Sequence, residues 1–163
     1  MILTPYQFIA SIRPFADHTQ HFYQWVLGEY VESQFKLAPG AQGQDWQELG
    51  NISMPADLKA LLTLSNGLSL FIGTKYPGTT IRLYSTAEIA AAQQPQLPGI
   101  PFMYLQDNGE LYYRTTAATP EIIIPYARLR LKLDLMHLLD YFMQTNGSDS
   151  WFASLDQKLI SEY

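Results

Sequence analysis

The sequence predicts an α+β fold, a mixed or antiparallel sheet flanked by helices. Three observations lead there. Helical periodicities lie towards the two ends of the chain, while strand-like segments gather between residues 68 and 126. The stretch MPADLKALLTLSNGLSLF, residues 54–71, passes from a helical stripe through Asn66-Gly67 into a strand pattern. Phe102 to Arg114 reads as two strands turned on Asp107-Asn108-Gly109. Segregated runs of this kind argue against a doubly wound α/β arrangement.

Taken in order, Thr4-Pro5-Tyr6-Gln7 opens a first helix, with Thr4 as N-cap and Gln7 reaching back in a capping box. Pro14 removes a backbone donor, so that helix is expected to end near Ser11–Arg13. Asp17 and Gln20 offer a second capping box. From there a longer helix is expected to Phe35, with Phe22, Trp25, Val26 and Tyr30 at helical spacing and Gly28 as a point of close packing. Residues 36–45, KLAPGAQGQD, read as a loop, and Trp46–Leu49 as a short helical turn. In the next unit Pro55 suits a first helical turn, Leu58, Leu61, Leu62 and Ser65 share a face, and Asn66-Gly67 supplies a left-handed stop.

Ile72 leads through a long tip, GTKYPGTT, to a strand at Ile81–Tyr84. Ser85-Thr86-Ala87-Glu88 then caps a short alanine-rich helix. Asn108-Gly109 is expected to make a tight primed turn between Phe102–Leu105 and Glu110–Arg114. Glu121–Tyr126 is a further strand, set at an edge or stopped by Pro125. The alternation from Leu129 runs into a helical stripe, Leu135, Leu138, Leu139 and Phe142, so a helix is placed from Asp134 to Asn146-Gly147. A last helix is expected from Ser150, capped by Ser148 or Asp149, to about Ser161. The expected organisation is one domain, with a helical N-terminal extension over residues 1–45, a core over 46–145 and a C-terminal helix within 146–163.

Hydrophobic residues make up 47% of the chain and charged residues 15%, well below the charge of an ordinary domain. That composition suits a packed globule and leaves surface for a partner or a second copy to cover. The formal net charge is −5, which disfavours sequence-independent nucleic-acid binding. Residues 1–53 carry Arg13 and Lys36 against Asp17, Glu29, Glu32, Asp45 and Glu48. Such acid serves as solvated helix face or as a docking surface for a basic partner. There is no cysteine, hence no disulfide, thiol nucleophile or thiolate metal site. The N-terminal residues lack a basic leader and a cleavage site, and no run approaches the ~18 apolar residues of a membrane span. The expectation is a soluble cytoplasmic protein that does not act at a membrane.

Chemistry-bearing constellations are sparse. His18 and His21 at i, i+3 could share a helical face, but no third ligand of defined spacing follows. His137 falls on an amphipathic helix. No G-x-S-x-G or phosphate loop is present. Asp107 and Glu110 could pair as acid and base, yet turn geometry alone explains Asp-Asn-Gly. Neither an enzyme nor a cofactor is expected. What stands out is the aromatic surplus: eleven tyrosines, eight phenylalanines and three tryptophans. Tyrosine suits interfaces, because it covers area at low entropic cost and keeps a hydroxyl. Tyr112 and Tyr113 are neighbours on a strand and must face opposite sides, so one of them points outward. The candidate protein-binding residues are Tyr76, Tyr104, Asp107, Glu110, Tyr112 and Tyr113; packing in the core and on the sheet is the alternative for the tyrosines.

The run from Leu49 through Met54-Pro55-Ala56-Asp57-Leu58 to Ser65-Asn66-Gly67 resembles the signature of the SUKH superfamily (Smi/Knr-like proteins). Met54 stands where that family usually has leucine. Ile81 to Ile89 is similar to its strand-to-helix element, Phe102 to Tyr113 to its central hairpin, and Leu135–Met143 to its closing helix. The resemblance covers roughly residues 46–145. It implies a non-enzymatic α+β module, of which many bacterial members are immunity proteins that neutralise a partner toxin, often a nuclease, while a fungal branch regulates cell-wall synthesis. It carries no catalytic residues. The expected partner is therefore a cognate toxin, with a regulatory or scaffold module, a homo-oligomer, and an enzyme or ligand-binding protein as the other readings.

Overall fold

Thr4 caps the first helix, α1 (Pro5–Ala16), in the expected manner: its Oγ1 accepts the Gln7 N–H at 3.2 Å, and Gln7 Oε1 accepts the Thr4 N–H at 3.0 Å. The helix runs past Pro14, contrary to expectation. Pro14 lies in its last turn, and Ala10, the carbonyl deprived of a donor, belongs to an exposed residue. The computed structural model describes residues 1–75, 80–115, 119–148 and 150–163. Residues 76–79 of the expected hairpin tip, Tyr76 among them, and Asp149 lie outside the described residues.

The second expected helix does not exist. Residues 22–37 form a β-hairpin instead, β1 (Phe22–Val26) and β2 (Glu29–Leu37), turned on Leu27 and Gly28 with φ of 51° and 85°. Two positive φ values are the mark of a primed two-residue turn, which explains Gly28. The N-terminal region is thus not a helical extension but one helix and the first two strands of the sheet.

After the short helix α2 (Gly43–Glu48) comes α3 (Ala56–Leu64), with Pro55 as its N-cap, one place earlier than expected. Leu58, Leu61 and Leu62 are buried on its inner face. Gly67, at φ +91°, makes the turn into β3 (Leu68–Gly73); a Cβ there would stand 3.2 Å from the Ser85 nitrogen. β4 (Ile81–Leu83) leads through the predicted Ser85–Glu88 capping box into α4 (Thr86–Ala92). β5 (Ile100–Leu105) and β6 (Gly109–Arg114) form the predicted hairpin. Its turn differs: of the pair, only Gly109 takes a positive φ, and the Asn108 N–H donates to the Leu105 carbonyl at 3.1 Å. The loop is thus the three residues 106–108, followed by a left-handed glycine at the start of β6.

β7 (Glu121–Ile124) ends at Pro125 in a 3₁₀ turn, and β8 (Leu129–Leu131) precedes α5 (Leu135–Gln144). Asp134 caps α5 as expected, accepting the His137 N–H at 2.9 Å. The C-terminal helix expected from Ser150 to about Ser161 is corrected by the structure. Only Ser150–Ala153 is α-helical (α6), and Ile160–Glu162 is a strand, β9, that pairs with β8.

Among the described residues the strands make one nine-stranded antiparallel sheet in sequence order, β1 to β9. Its inner side carries Val31, Phe35, Leu70, Ile81, Leu83, Leu111, Tyr113, Ile122 and Leu131. α1 packs on β2 and α3, α3 on α5, and α4 on β5. A bulge between Pro101 and Met103 lets Phe102 and Met103 both face the core. Phe15, Phe22, Phe35 and Phe71 form edge-on contacts at 5.1–5.6 Å, which fasten the first hairpin and α1 to the rest. The α+β class predicted from segregated runs is the class observed.

Candidate protein-interaction surface

The outer side of the sheet follows from strand alternation. Across β1 and β2 the register places Tyr23 beside Glu32 and Trp25 beside Tyr30, all pointing away from the core. Further along come Gln34, Lys36, Ser69, Arg82 and Tyr104, and then Glu110, Tyr112 and Arg114. Side chains on the two halves of this face differ in exposure. Tyr112, Glu121 and Ile123 are buried, whereas Tyr23, Trp25 and Tyr30 are 55%, 63% and 73% exposed.

The exposed half therefore centres on the first hairpin. Trp25 and Tyr30 meet edge to face with ring centroids 4.8 Å apart, and Leu27 stands exposed at the turn beside them. The carboxylates next to this patch are paired. Glu29 Oε1 lies 2.6 Å from Lys75 Nζ, and Glu32 Oε1 lies 2.7 Å from His21 Nδ1. The surface is thus aromatic rather than acidic. Burial of such rings against a partner removes large apolar area from water, at about 25 cal/mol per Å². Their two side-chain torsions limit the entropic cost of ordering them.

In the middle of the face the hydroxyls converge on a carboxylate. Glu110 Oε2 accepts from the Tyr84 hydroxyl and Oε1 from the Tyr112 hydroxyl, each at 2.6 Å. Burial first, and then the Glu110 carboxylate, push the Tyr112 phenol up to about 12 and that of Tyr84 further. Arg82 lies over the Tyr84 ring at 5.2 Å and pairs with Glu88. Both Glu110 oxygens are occupied, so this carboxylate is a brace between β4 and β6.

Of the six residues singled out from the sequence, the structure brings Tyr104, Glu110 and Tyr112 together on the outer face and turns Tyr113 away from them. Tyr104 is outward and 41% exposed, and Asp107 is exposed on the β5–β6 turn. Tyr112 points outward but is buried, with Glu110 as its partner. Tyr113 faces the core and is 2% exposed, so it presents nothing to a partner. Its hydroxyl donates to Asp57 Oδ2 at 2.9 Å. Tyr76 lies outside the described residues. The sequence reading missed Tyr23, Trp25 and Tyr30 as surface residues because it wound them into a helix. The available signal was the density of aromatic and β-branched residues around a lone glycine.

No chemistry emerges around the histidines. His18 sits at φ +60° in the turn after α1, not on a helical face with His21. His137 Nδ1 contacts its own capping residue, Asp134, at 2.7 Å. Among the described residues no group of three histidine, aspartate or glutamate side chains could hold a metal ion, and no helix is long and apolar enough to cross a membrane. A cleft of about 710 Å³ is lined by Trp46, Leu49, Ile52, Met54 and Lys59. Another, of about 470 Å³, lies between α1 and β2 beside Arg13, His18 and Lys36. Neither is lined by Asp107, Glu110 or His137.

No family model, curated protein or solved structure matches the chain.

Proposed function

We propose that this protein is a non-enzymatic protein-binding module, and that its partner is a toxin it neutralises by covering the toxin's working surface. The observation that carries the binding role is the exposed ring pair Trp25–Tyr30, flanked by Tyr23 and Leu27 on one rigid hairpin. A free surface gains nothing from holding three large aromatic side chains in water, whereas a binding surface uses such rings as anchors. The toxin assignment rests on the resemblance of residues 46–145 to the SUKH superfamily, and on the net charge of −5, which would speed encounter with a basic partner.

Two features of the surface shape this reading. The carboxylates nearest the rings already have partners in Lys75 and His21, so close-range affinity would come from ring burial and the charge would act at longer range. The hairpin is also anchored by Phe22 and Phe35 against Phe71, which lowers the cost of ordering it on binding. The test is co-expression with toxin domains encoded beside this gene, with cell survival and co-purification as readouts. Survival with a stable complex supports the proposal; the absence of both for every neighbour overturns it.

A further inference from the structure

We infer that the free edge of β1 pairs with β1 of a second copy of this chain, antiparallel and centred on Gln24, so that two sheets join into one. The inference concerns the edge of the hairpin. The proposed toxin surface is its outer face, and each stands without the other.

The hydrogen-bonding phase of β1 fixes which groups are available. The turn on Leu27 and Gly28 makes Val26 and Glu29 the bonded pair next to a two-residue loop. Alternation then turns the backbone N–H and C=O groups of Phe22, Gln24 and Val26 towards β2, and leaves those of Tyr23 and Trp25 facing the edge. The neighbouring strand agrees: Glu32, opposite Tyr23, directs its carbonyl away from β1 and accepts from Thr74 Oγ1 at 2.9 Å. Among the described residues β1 pairs with β2 alone.

Proteins ordinarily defend such an edge with a charge, a proline, a bulge or a very short strand. β1 has none of these. Its five residues, FYQWV, are uncharged, and its register with β2 runs without a break. The opposite edge, β9, is three residues long and carries Glu162. Sequence self-complementarity favours a second copy as the occupant. Centred on Gln24, the pairing sets Tyr23 opposite Trp25 of the second copy and Trp25 opposite its Tyr23. Both are residues whose backbone groups face the edge, so each juxtaposition exchanges two hydrogen bonds. The rings of Tyr23 and Trp25 then meet across the strands on the outer face, an aromatic cross-strand pair in duplicate. No like charges come face to face, because the strand bears none, and Glu29 and Glu32 lie one strand back with Lys75 and His21 beside them.

The absence of cysteine allows a register-specific test on the full chain. In this pairing Gln24 faces its own counterpart at a non-hydrogen-bonded position, where Cα atoms stand about 4.5 Å apart, within disulfide reach. Gln24→Cys should therefore form a disulfide dimer under mild oxidation. Tyr23→Cys alone should not, since its counterpart is displaced by two residues along the strand. Mixed Tyr23→Cys and Trp25→Cys chains should cross-link to each other. A second variant, Tyr23→Pro, deletes an N–H that no intrachain ladder bond uses, so the fold is retained while the edge is blocked. Sedimentation should show the wild type as a dimer at high micromolar concentration and Tyr23→Pro as a folded monomer by circular dichroism. A monomeric wild type, or equal cross-linking by Gln24→Cys and Tyr23→Cys alone, would overturn the inference. So would a wild-type dimer that Tyr23→Pro leaves intact.

Discussion

Tyr113 donates its phenolic hydrogen to Asp57 Oδ2 at 2.9 Å, and the same oxygen accepts the Leu135 N–H at 3.1 Å. One carboxylate thereby joins the first turn of α3, the C-terminal end of β6 and the start of α5, while its Oδ1 accepts the Leu58 N–H at 2.7 Å. Asp57 lies in the first turn of α3, and its role there is structural. It satisfies backbone donors at two helix N-termini, groups that have no partner within their own helices.

Removing the phenol should separate this bond from packing. Tyr113→Phe keeps the ring against Phe102, whose centroid is 5.4 Å away, and leaves Asp57 one donor short. It should lower unfolding free energy by about 1–2 kcal/mol, read from urea denaturation with an unchanged slope. Tyr113→Ala should cost about 3–5 kcal/mol, since a buried ring is lost as well.

Asp57 also gives the fold a pH signature. Burial is the largest influence on its carboxyl and raises it above the ordinary 3.8; the bonds from Tyr113, Leu58 and Leu135 oppose that rise in part. A carboxyl raised in the folded state binds protons that the unfolded chain has already released. Its contribution to stability is therefore complete below the unfolded value and is lost as pH rises through the folded one. Asp57→Asn removes this titration. The stability of the wild type minus that of Asp57→Asn should fall as pH climbs from below 3.8 and then level off; a difference that rises over that interval refutes the placement.

Gly147 follows α5 with φ +69°, and a Cβ built there would lie 2.3 Å from Cγ of Phe71. Phe71 is itself fully buried and left-handed, at φ +56°. Neither can give way, so Gly147→Ala should destabilise by about 2–3 kcal/mol through overpacking and backbone strain. Calorimetry would record it as a lowered Tm. The same substitution at Gly28, where a Cβ meets nothing within 4 Å, should be milder and confined to the turn.

How much of this was legible depended on whether a segment's outer side was polar. Leu129–Leu131 alternates with Arg128 and Arg130, and Ile81–Leu83 with Arg82, so both strands were readable. The capping boxes at Thr4 and Ser85 and the cap at Asp134 were also readable, because side-chain chemistry at a helix start is local. β1 and β2 were not. Phe22 and Val26 point inward while Tyr23, Trp25 and Tyr30 are apolar and point outward, which erases the period of two and leaves a chance helical spacing. The hairpin that hides its strand pattern is the one whose outer face is proposed to bind. The burial of Tyr113 was beyond sequence for another reason: which of two adjacent tyrosines faces the core depends on the register across β6 and β7.

The proposed binding role is tested most directly by the ring pair itself. Trp25→Ala and Tyr30→Ala lie on the surface and should each change stability by less than about 1 kcal/mol. Titration calorimetry with the toxin domain that co-purifies should show each variant weakening binding by about 2 kcal/mol, roughly 30-fold, as for anchor residues at an interface centre. Equal affinity for wild type and both variants would contradict the account, and would move the binding surface away from the hairpin.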